Sequence, residues 1–465
     1  MAASFSSSFS LIIFFTLLCL SNASPRLPTN LKLIPVTPHL QSSIPSFDQI
    51  NAHDKSRLSY LDNLIKKTSV PIVSGRAFQQ AGNYLVRANV GTPGQTLLMV
   101  MDTSNDAAWL PCSGCSGCSS QTLFTLEQSS TYKPLQCSAP QCRQAANWFC
   151  APATSDCHFN MTYGGSSFDA LLSLDSLGLA QDTLPGYAFG CLRTVTGTSI
   201  PAQGLLGLGR GPLSLLSQAG NLYQKTFSYC LPDLRATNFT GSLRLGTVGQ
   251  PKRIKYTPLL ANPRRPTLYY VNMTGIRVGK RFVDIPSSAL AFNPATGAGT
   301  IFDSGTMVTR LVAPVYAAVR AEFLRRINLP VSSLGGFDTC FTQPIVPPTI
   351  SFHFDGMFVT LPTENVVIHS SFGTTTCLAM AAAPDNVNSV VNVIASYQQQ
   401  NHRVLYDVAN SRLANGHGLV TPDICRGHSW CVAASGSSSL FSLSSNPAVV
   451  IALLVDASHF SSSFQ

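Results

Sequence analysis

The sequence predicts an all-β protein, mostly strands with a few short helices, that is built from two similar lobes. From residue 84 onward, short alternating apolar runs are broken by Gly, Pro and Asn at close intervals, which is typical of strands joined by tight turns. Two distant segments, 98–104 and 299–306, also repeat one pattern, in which an apolar strand ends in an Asp followed by a hydroxyl residue and a small residue. This repeat indicates a duplicated lobe.

The two Asp segments belong to a longer repeated unit. Each is followed by an apolar closure and later by a second apolar stretch, at 204–209 in the first copy and 393–395 in the second. A single Asp beside Ser or Thr is ordinary turn chemistry. Two copies in one chain favour instead an active site of paired carboxylates, Asp102 and Asp303.

The N-terminal region has the pattern of a leader. Residues 1–23 resemble a secretory signal peptide, because an apolar run at 11–18 precedes small residues at 21–23. A transmembrane anchor is the alternative, but the run is shorter than the roughly 20 residues needed to span a bilayer. Residues 24–75 are Pro-rich and then basic with a helical pattern, and we expect them to form a removable pro-segment.

The rest of the chain divides into two lobes and a tail. The length of 465 residues, with 45% apolar and 11% charged residues, indicates a folded chain of two or three domains. We assign 76–250 to an N-terminal lobe with a Cys-rich insertion and 251–425 to a C-terminal lobe. In the second lobe we expect a helix over 313–327, because a Pro lies near its start and another follows its end. Residues 426–465 are expected to be a disordered, low-complexity tail without a membrane or lipid anchor.

The cysteines indicate an oxidising compartment. Of the 14, Cys19 lies in the signal peptide and Cys431 in the tail, and the other twelve would allow six disulfides of open connectivity. The close spacing of the first three would also fit a zinc site, but disulfides are favoured in a secreted chain. The disulfide candidates are Cys112, Cys115, Cys118, Cys137, Cys142, Cys150, Cys157, Cys191, Cys230, Cys340, Cys377 and Cys425.

Sequons and charge bear on location and partners. Three sequons, at Asn160, Asn238 and Asn272, fit a glycoprotein of the secretory route. The net charge of +9 raises nucleic acid as a partner, but the densest basic stretch, 252–255, lacks the aromatic interleaving or finger spacing of a nucleic-acid-binding module. A solvated loop is favoured there, so we expect no nucleic-acid partner.

No other chemistry competes with the two Asp segments. The sequence contains no Gly-x-Ser-x-Gly nucleophile elbow and no His-Glu-x-x-His zinc helix. The Gly-rich stretch at 204–211 matches neither the dinucleotide fingerprint nor the phosphate loop. We therefore expect chemistry by two carboxylates, with no metal and no cofactor.

At Asp102-Thr103-Ser104 and Asp303-Ser304-Gly305-Thr306 the chain resembles the pepsin-like aspartic proteases, over about residues 80–425. The Cys-rich insertion and the stretches 209–214, 227–231 and 398–404 make it similar to the plant nepenthesin-type branch, near the apoplastic aspartyl proteases and the chloroplast-nucleoid DNA-binding-like proteases. The resemblance implies a bilobal pepsin-like acid protease fold, in which two β-barrel lobes related by a pseudo-twofold axis enclose the active site in their cleft.

The resemblance also implies roles for individual residues. Asp102 and Asp303 would be the catalytic pair, which shares one proton because two adjacent carboxylates cannot both ionise. Thr103 and Ser304 would brace the two carboxylates through hydrogen bonds between the loops. Two further residues would support the carboxylates, Asn105 and Thr306.

The flap is assigned in the same way. Tyr163 would be the tyrosine that closes over substrate, and Trp109 the tryptophan that hydrogen-bonds it; core packing is the alternative for both. The chain departs from the family at Ser104-Asn105, where Gly-Ser is usual, so an amide would bond the carboxylate in place of a hydroxyl. Further departures lie in the flap at 163–166, at 395–396, and after residue 413.

These observations together predict an aspartic endopeptidase that acts on polypeptides at acidic pH with a water activated by the two carboxylates. We expect a secreted monomer of the apoplast or cell wall, with the chloroplast or vacuole as the alternative location, and no membrane partner. The alternative function is a weak or inactive pepsin-fold protein that binds and inhibits glycoside hydrolases. The presence of both aspartates favours the enzyme.

Overall fold

The computed structural model describes residues 68–76, 82–118, 122–236, 238, 240–252, 254–370, 373–385 and 390–416. Strands dominate this part of the chain and the helices are short, which confirms the predicted all-β class. The predicted signal peptide, most of the predicted pro-segment and the predicted tail lie outside the described residues, as do Cys425 and Cys431.

The N-terminal half is built on antiparallel hairpins, because its apolar runs alternate with Gly-containing turns. Its described strands are β1 (Thr68–Ser74), β2 (Tyr84–Val90), β3 (Gln95–Asp102), β4 (Ala108–Ser116), β5 (Lys133–Pro134), β6 (Trp148–Cys150), β7 (Cys157–Tyr163), β8 (Ser166–Leu179), β9 (Asp182–Thr196), β10 (Leu205–Gly207), β11 (Thr226–Cys230) and β12 (Gly241–Leu245). β1 pairs with β2 and β12, so residues 68–74 belong to the sheet although the predicted pro-segment extends to 75.

The C-terminal half also consists mainly of paired strands, but these strands are shorter. They are β13 (Tyr256–Leu260), β14 (Tyr270–Val271), β15 (Met273–Val278), β16 (Arg281–Phe282), β17 (Gly299–Phe302), β18 (Thr309–Leu311), β19 (Ser332–Leu334), β20 (Phe337–Phe341), β21 (Ile350–Phe354), β22 (Met357–Thr360), β23 (Val367–His369), β24 (Thr376–Leu378), β25 (Met380–Ala382), β26 (Val391–Ile394), β27 (Arg403–Asp407) and β28 (Arg412–Gly416). Eight of these strands form two four-stranded sheets, β16-β15-β21-β22 and β19-β20-β24-β23. The other strands of both halves belong to one large sheet.

The helices are short, and one differs in length from its prediction. The α-helices are α1 (Leu215–Gln218), α2 (Ser287–Leu290), α3 (Ala313–Leu324), α4 (Thr363–Val366) and α5 (Ser396–Gln399), with 3₁₀ turns at Leu126–Gln128 and Cys142–Gln144. α3 begins at the predicted residue but ends before the predicted residue 327. The amides of Arg326 and Ile327 bond to carbonyls three residues back, so the chain tightens into 3₁₀-type turns there.

Each half contains the same strand arrangement around its Asp. β3, which ends at Asp102, lies parallel to β10, and β4 is antiparallel to β10. β17, which ends one residue before Asp303, lies parallel to β26, and β18 is antiparallel to β26. The two apolar stretches that the sequence pairs, 204–209 and 393–395, contain or overlap these parallel partners, so the predicted duplication extends beyond the Asp loops.

A shared sheet joins the two halves. β11 of the first half pairs with β27 of the second, β27 pairs with β28, and β28 pairs with β13. The inner side of β11 and β27 carries Phe227, Tyr229 and Tyr406, all fully buried. The Phe227 and Tyr406 rings stack in parallel with their centroids 4.5 Å apart. Each large apolar side chain buried in this way contributes about 1.5–3 kcal/mol to stability.

Disulfides hold the insertion and one C-terminal hairpin. The described pairs are Cys112–Cys191, Cys115–Cys118, Cys137–Cys150, Cys142–Cys157 and Cys340–Cys377. Cys230 is also disulfide-bonded. The first three cysteines are therefore in disulfides and are not available as zinc ligands. Among the residues described, no helix has the length and apolar character needed to cross a membrane.

Candidate active site

Both aspartates lie at the ends of buried central strands. Only 1% of the Asp102 surface and 4% of the Asp303 surface is exposed. Asp102 is the last residue of β3, and the backbone amide of Asp303 bonds to the carbonyl of Ile394 in the parallel neighbour β26. The duplicated strand arrangement therefore brings the two carboxyl groups to one place from opposite halves of the chain.

Asp102 accepts hydrogen bonds from its own loop on both oxygens. The backbone amide and the hydroxyl of Ser104 each donate to Oδ1 at 2.7 Å, and Asn105 Nδ2 donates to Oδ2 at 2.8 Å. The amide of Asn105 therefore takes the place that the resemblance gives to a hydroxyl. Ser104, which stands where the resemblance gives Gly, adds a further donor to the carboxylate.

Asp303 has the corresponding bonds without the extra hydroxyl. The amide of Gly305 donates to Oδ1 at 2.8 Å and the hydroxyl of Thr306 donates to Oδ2 at 2.6 Å. Thr306 is thus the counterpart of Asn105 in the other loop. Because Gly305 stands where the first loop has Ser104, Asp303 lacks the hydroxyl donor that Asp102 receives on Oδ1.

Burial and the neighbouring charge act on the protonation of Asp303. Burial, followed by the charge of Asp102, raises the pKa of Asp303 to about 7, while hydrogen bonds from Thr306 and Gly305 act in the opposite direction. A carboxyl group with this pKa keeps its proton at acidic pH. The pair can therefore hold one proton.

A reciprocal set of hydrogen bonds joins the two loops. The amide of Ser304 donates to Oγ1 of Thr103 at 3.0 Å, and the amide of Thr103 donates to Oγ of Ser304 at 3.2 Å. The Ser304 hydroxyl donates in turn to the carbonyl of Met101 at 3.0 Å. Each loop is therefore bonded to the backbone of the other, as the resemblance implies for Thr103 and Ser304.

The flap residues pack together but do not form the expected hydrogen bond. The Trp109 and Tyr163 rings meet edge to face with their centroids 5.5 Å apart, and Trp109 Nε1 has no hydrogen-bond partner. The Tyr163 hydroxyl is instead turned toward Asp102 and Asn83. The implied Trp109–Tyr163 hydrogen bond is therefore wrong for this structure. Burial and the charges of both aspartates raise the pKa of Tyr163 well above its ordinary value, so its hydroxyl stays protonated.

A cavity of about 200 Å³ opens beside the first Asp loop. Ser104 and Asn105 line it on one side, and Phe159 and Met161 of the flap strand β7 line it on another. Asn160, an exposed candidate for glycosylation, also faces this cavity. Of the other two sequons, Asn238 is exposed and Asn272 is half-buried.

A third carboxylate next to the site, the half-buried Asp106, was not predicted from the sequence. Asp106 accepts hydrogen bonds from the Gly211 amide and the Thr267 hydroxyl, both at 2.7 Å, and burial raises its pKa. It ties the first Asp loop to the stretch after β10 and to the C-terminal half. Its position in the Asp102 loop is the only sequence signal that could have found it.

The structure also places three buried polar side chains beneath the aspartates: Tyr229 and Gln399, which the sequence had matched only as parts of family motifs, and Tyr406, which lies outside those motifs. In the described part of the chain, no group of three or more His, Cys, Asp or Glu side chains is arranged to hold a metal ion.

The chain is similar to known plant proteins over most of its length. Two family models match it, Xylanase inhibitor N-terminal over residues 84–247 and Xylanase inhibitor C-terminal over 268–415. Aspartyl protease AED3 from Arabidopsis thaliana is 51% identical over 413 residues, covering 86% of this chain and 91% of that protein. Aspartic proteinase nepenthesin-1 from Nepenthes gracilis is 36% identical over 348 residues, covering 71% and 76%. The crystal structure of Basic 7S globulin from soybean has a TM-score of 0.60 at 22% identity, covering 76% and 97%, and shares the fold.

Proposed function

The chain belongs to the nepenthesin-like aspartyl proteases of plants and is an aspartic endopeptidase, and from this premise we propose that Asp102 and Asp303 hydrolyse polypeptides at acidic pH by activating a water molecule. The observation that carries the proposal is the meeting of the two buried carboxylates, one of which has its pKa raised to about 7. Two carboxyl groups with different proton affinities can supply an acid and a base at the same pH.

The different surroundings of the two carboxyl groups support different roles. Ser104 and Asn105 direct three donors at the Asp102 carboxylate, whereas burial and the Asp102 charge favour the protonated form of Asp303. Asp102 takes a proton from the attacking water while Asp303 donates its proton to the peptide carbonyl oxygen. The product is a tetrahedral diol, with the proton now on Asp102.

The second half of the reaction returns the pair to its starting state. Asp102 passes its proton to the leaving nitrogen as the C–N bond breaks. A hydroxyl of the diol returns a proton to Asp303 as the new carboxyl group forms. Activity falls when pH rises through about 7, because Asp303 ionises and no longer carries the proton that it donates to the peptide carbonyl.

The flap tyrosine supports substrate closure in this proposal. Its hydroxyl faces Asp102 and keeps its proton, so it can donate a hydrogen bond in the cleft. The cavity between the flap strand and Asn105 has a volume suited to a substrate side chain. Polypeptides are the substrates that the protease relatives imply.

The test is cleavage of a denatured protein across pH 3 to 7, with the wild type beside Asp102→Asn and Asp303→Asn. We expect acid-dependent cleavage by the wild type only, blocked by a statine-type transition-state mimic. Cleavage that survives both substitutions, or none by folded, disulfide-bonded wild type at any pH, would refute the proposal.

We further propose secretion to the apoplast, supported by the disulfides of the described chain, which form in oxidising compartments. Fractionation of the expressing tissue into apoplastic fluid and cell extract tests this. Recovery of the mature chain only in the chloroplast or vacuole would contradict it.

Binding and inhibition of a glycoside hydrolase is a second candidate function, favoured by one observation. Both matching family models carry the description of xylanase inhibitors. Titration of an endoxylanase with the Asp102→Asn, Asp303→Asn double variant separates this function from proteolysis. Xylanase inhibition by that variant would support an inhibitor, and its absence would exclude one for the enzyme assayed.

A further inference from the structure

Two of the sequence motifs shared with the family contain neither aspartate, and the structure brings them together beneath the aspartates. Residues 227–230 lie in β11, residue 231 follows it, and residues 398–404 run from α5 into β27, which pairs with β11. The side chains of Tyr229, Gln399 and Tyr406 come together at this pairing, and all three residues have no exposed surface. Buried polar groups of this kind must satisfy one another.

The direction of every hydrogen bond in this group is fixed by two carbonyl oxygens. Gln399 Nε2 lies 2.7 Å from the carbonyl of Ile394 and 3.2 Å from that of Asp303, and carbonyls only accept. Gln399 Oε1 must therefore face Tyr229, whose hydroxyl donates to it. The hydroxyls of Tyr229 and Tyr406 are 2.7 Å apart. Because the single hydroxyl proton of Tyr229 is already donated to Gln399, Tyr406 must be the donor in the bond between the two tyrosines.

The series of hydrogen bonds continues to the first Asp loop. The side chain of Thr103 faces the hydroxyl of Tyr406 and opposes, as a hydrogen-bond donor, the rise that burial causes in the pKa of Tyr406. The Thr103 hydroxyl therefore donates to Tyr406 and keeps its lone pairs for the amide of Ser304, which bonds to it at 3.0 Å. The result is one continuous series of hydrogen bonds with the same donor direction throughout, which begins at the Thr103 hydroxyl and ends at the backbone carbonyl of Asp303.

We propose that Tyr229, Tyr406 and Gln399 act as one unit that positions the two Asp loops relative to each other, and so as positioning residues for the peptidase reaction. The inference rests on the proposed function, because it concerns the same pair of carboxylates. Ser304 is anchored directly on the backbone of Met101, whereas Thr103 is anchored through this buried chain. This series of buried hydrogen bonds therefore supports the Asp102 loop, whereas a single bond to the backbone of Met101 supports the Asp303 loop.

The test removes one hydroxyl and keeps every ring. Tyr229→Phe is expected to lower kcat about tenfold while KM changes less than twofold, because no substrate contact is lost. It is also expected to shift the pH profile of kcat, which a loss of stability alone would not do. Tyr270→Phe is the matched control, because Tyr270 is equally buried and its hydroxyl donates to a backbone carbonyl, that of Gly297 at 2.8 Å, outside this chain.

A second variant tests whether the residues form one unit. Tyr406→Phe should match Tyr229→Phe, and the double variant should lose no more activity than either single variant, because the chain is already broken. Tyr406→Phe also serves if Tyr229→Phe does not fold. Equal effects of Tyr229→Phe and Tyr270→Phe on kcat and on the pH profile would overturn the proposal, and so would multiplicative losses in the double variant.

Asp102→Asn in the same assay separates this outcome from failure of the proposed function, because an active wild type with an inactive Asp102→Asn leaves the peptidase assignment intact.

Discussion

The backbone of Gly305 lies against the carboxylate of Asp102. A β-carbon added to Gly305 would stand 2.4 Å from Oδ2 of Asp102 and 2.5 Å from its Cγ. Contacts between real β-carbons and other heavy atoms are essentially never that short, so the two loops would have to separate. The bare backbone at Gly305 therefore allows the carboxylates to approach across the two halves.

Gly305→Ala should abolish most activity while leaving the fold intact. Displacing a reacting group by about 1 Å costs on the order of 100-fold in rate, so we expect at least that loss in kcat/KM. Gly275→Ala is the control, because a β-carbon there would meet only Phe282 at an ordinary 3.4 Å. An active Gly305→Ala enzyme would mean that the loops move apart without effect on the reaction.

Asp303→Asn should stabilise the protein at neutral pH more than at acidic pH. The raised pKa of Asp303 means that the folded chain holds a proton up to about pH 7, whereas the unfolded chain loses it near pH 4. The wild type therefore loses stability as pH rises through that window, and Asn, which is always neutral, does not. Thermal unfolding at pH 4 and pH 7.5 measures this, and an equal change in Tm at both pH values would contradict it.

Asn105→Ser should move the pH profile of kcat/KM. Asn105 donates to Oδ2 of Asp102 through an amide, and Ser would offer a shorter, rotatable hydroxyl. We expect a shift of about half a unit or more in one limb of the profile, because a changed donor at Oδ2 of Asp102 alters how the two carboxyl groups share their proton. Asn105→Ala gives the comparison without any donor. Superimposable profiles for all three proteins would show that this contact does not tune the pair.

Glu322→Gln should destabilise the protein at neutral pH but not at very low pH. Hydrogen bonds from Arg325, and then from Arg326, lower the pKa of Glu322 to about 2, against burial, which acts in the opposite direction. Stability from a depressed carboxyl pKa is present above the unfolded value and is lost as pH falls toward the folded one. We expect Tm to fall by about 1–3 °C at pH 6 and by less at pH 2.5. A constant difference would indicate a packing effect.

The parts of the structure that follow from local pattern could be predicted from the sequence. The repeat of apolar strand, Asp and hydroxyl residue located both aspartates, because a strand end is encoded by its own residues. The helix that begins at Ala313 was found from Pro314, but its end was not. At that end, hydrogen bonds to carbonyls three residues back replace the bonds of the α-helix, and no single residue in the sequence indicates this change.

Contacts between distant segments could not be predicted in the same way. The partners of Asp106 are Gly211 and Thr267, which lie far along the chain, so the sequence shows only an ordinary turn residue. The orientation of Tyr163 was also missed, because a ring can pack on Trp109 while its hydroxyl faces the carboxylates. Such choices are made by the competition among buried polar groups after the strands have assembled.

The pairing of β11 with β27 also sets an order of assembly during biosynthesis. The first aspartate loop is anchored through Tyr406, which emerges from the ribosome long after Asp102, and β11 has no β27 partner until then. A nascent chain that ends before residue 403 therefore lacks the support beneath its first aspartate as well as the hydrogen bonds along one edge of β11. The catalytic centre can be completed only when nearly all of the described chain has been synthesised, which limits proteolysis by unfinished polypeptides.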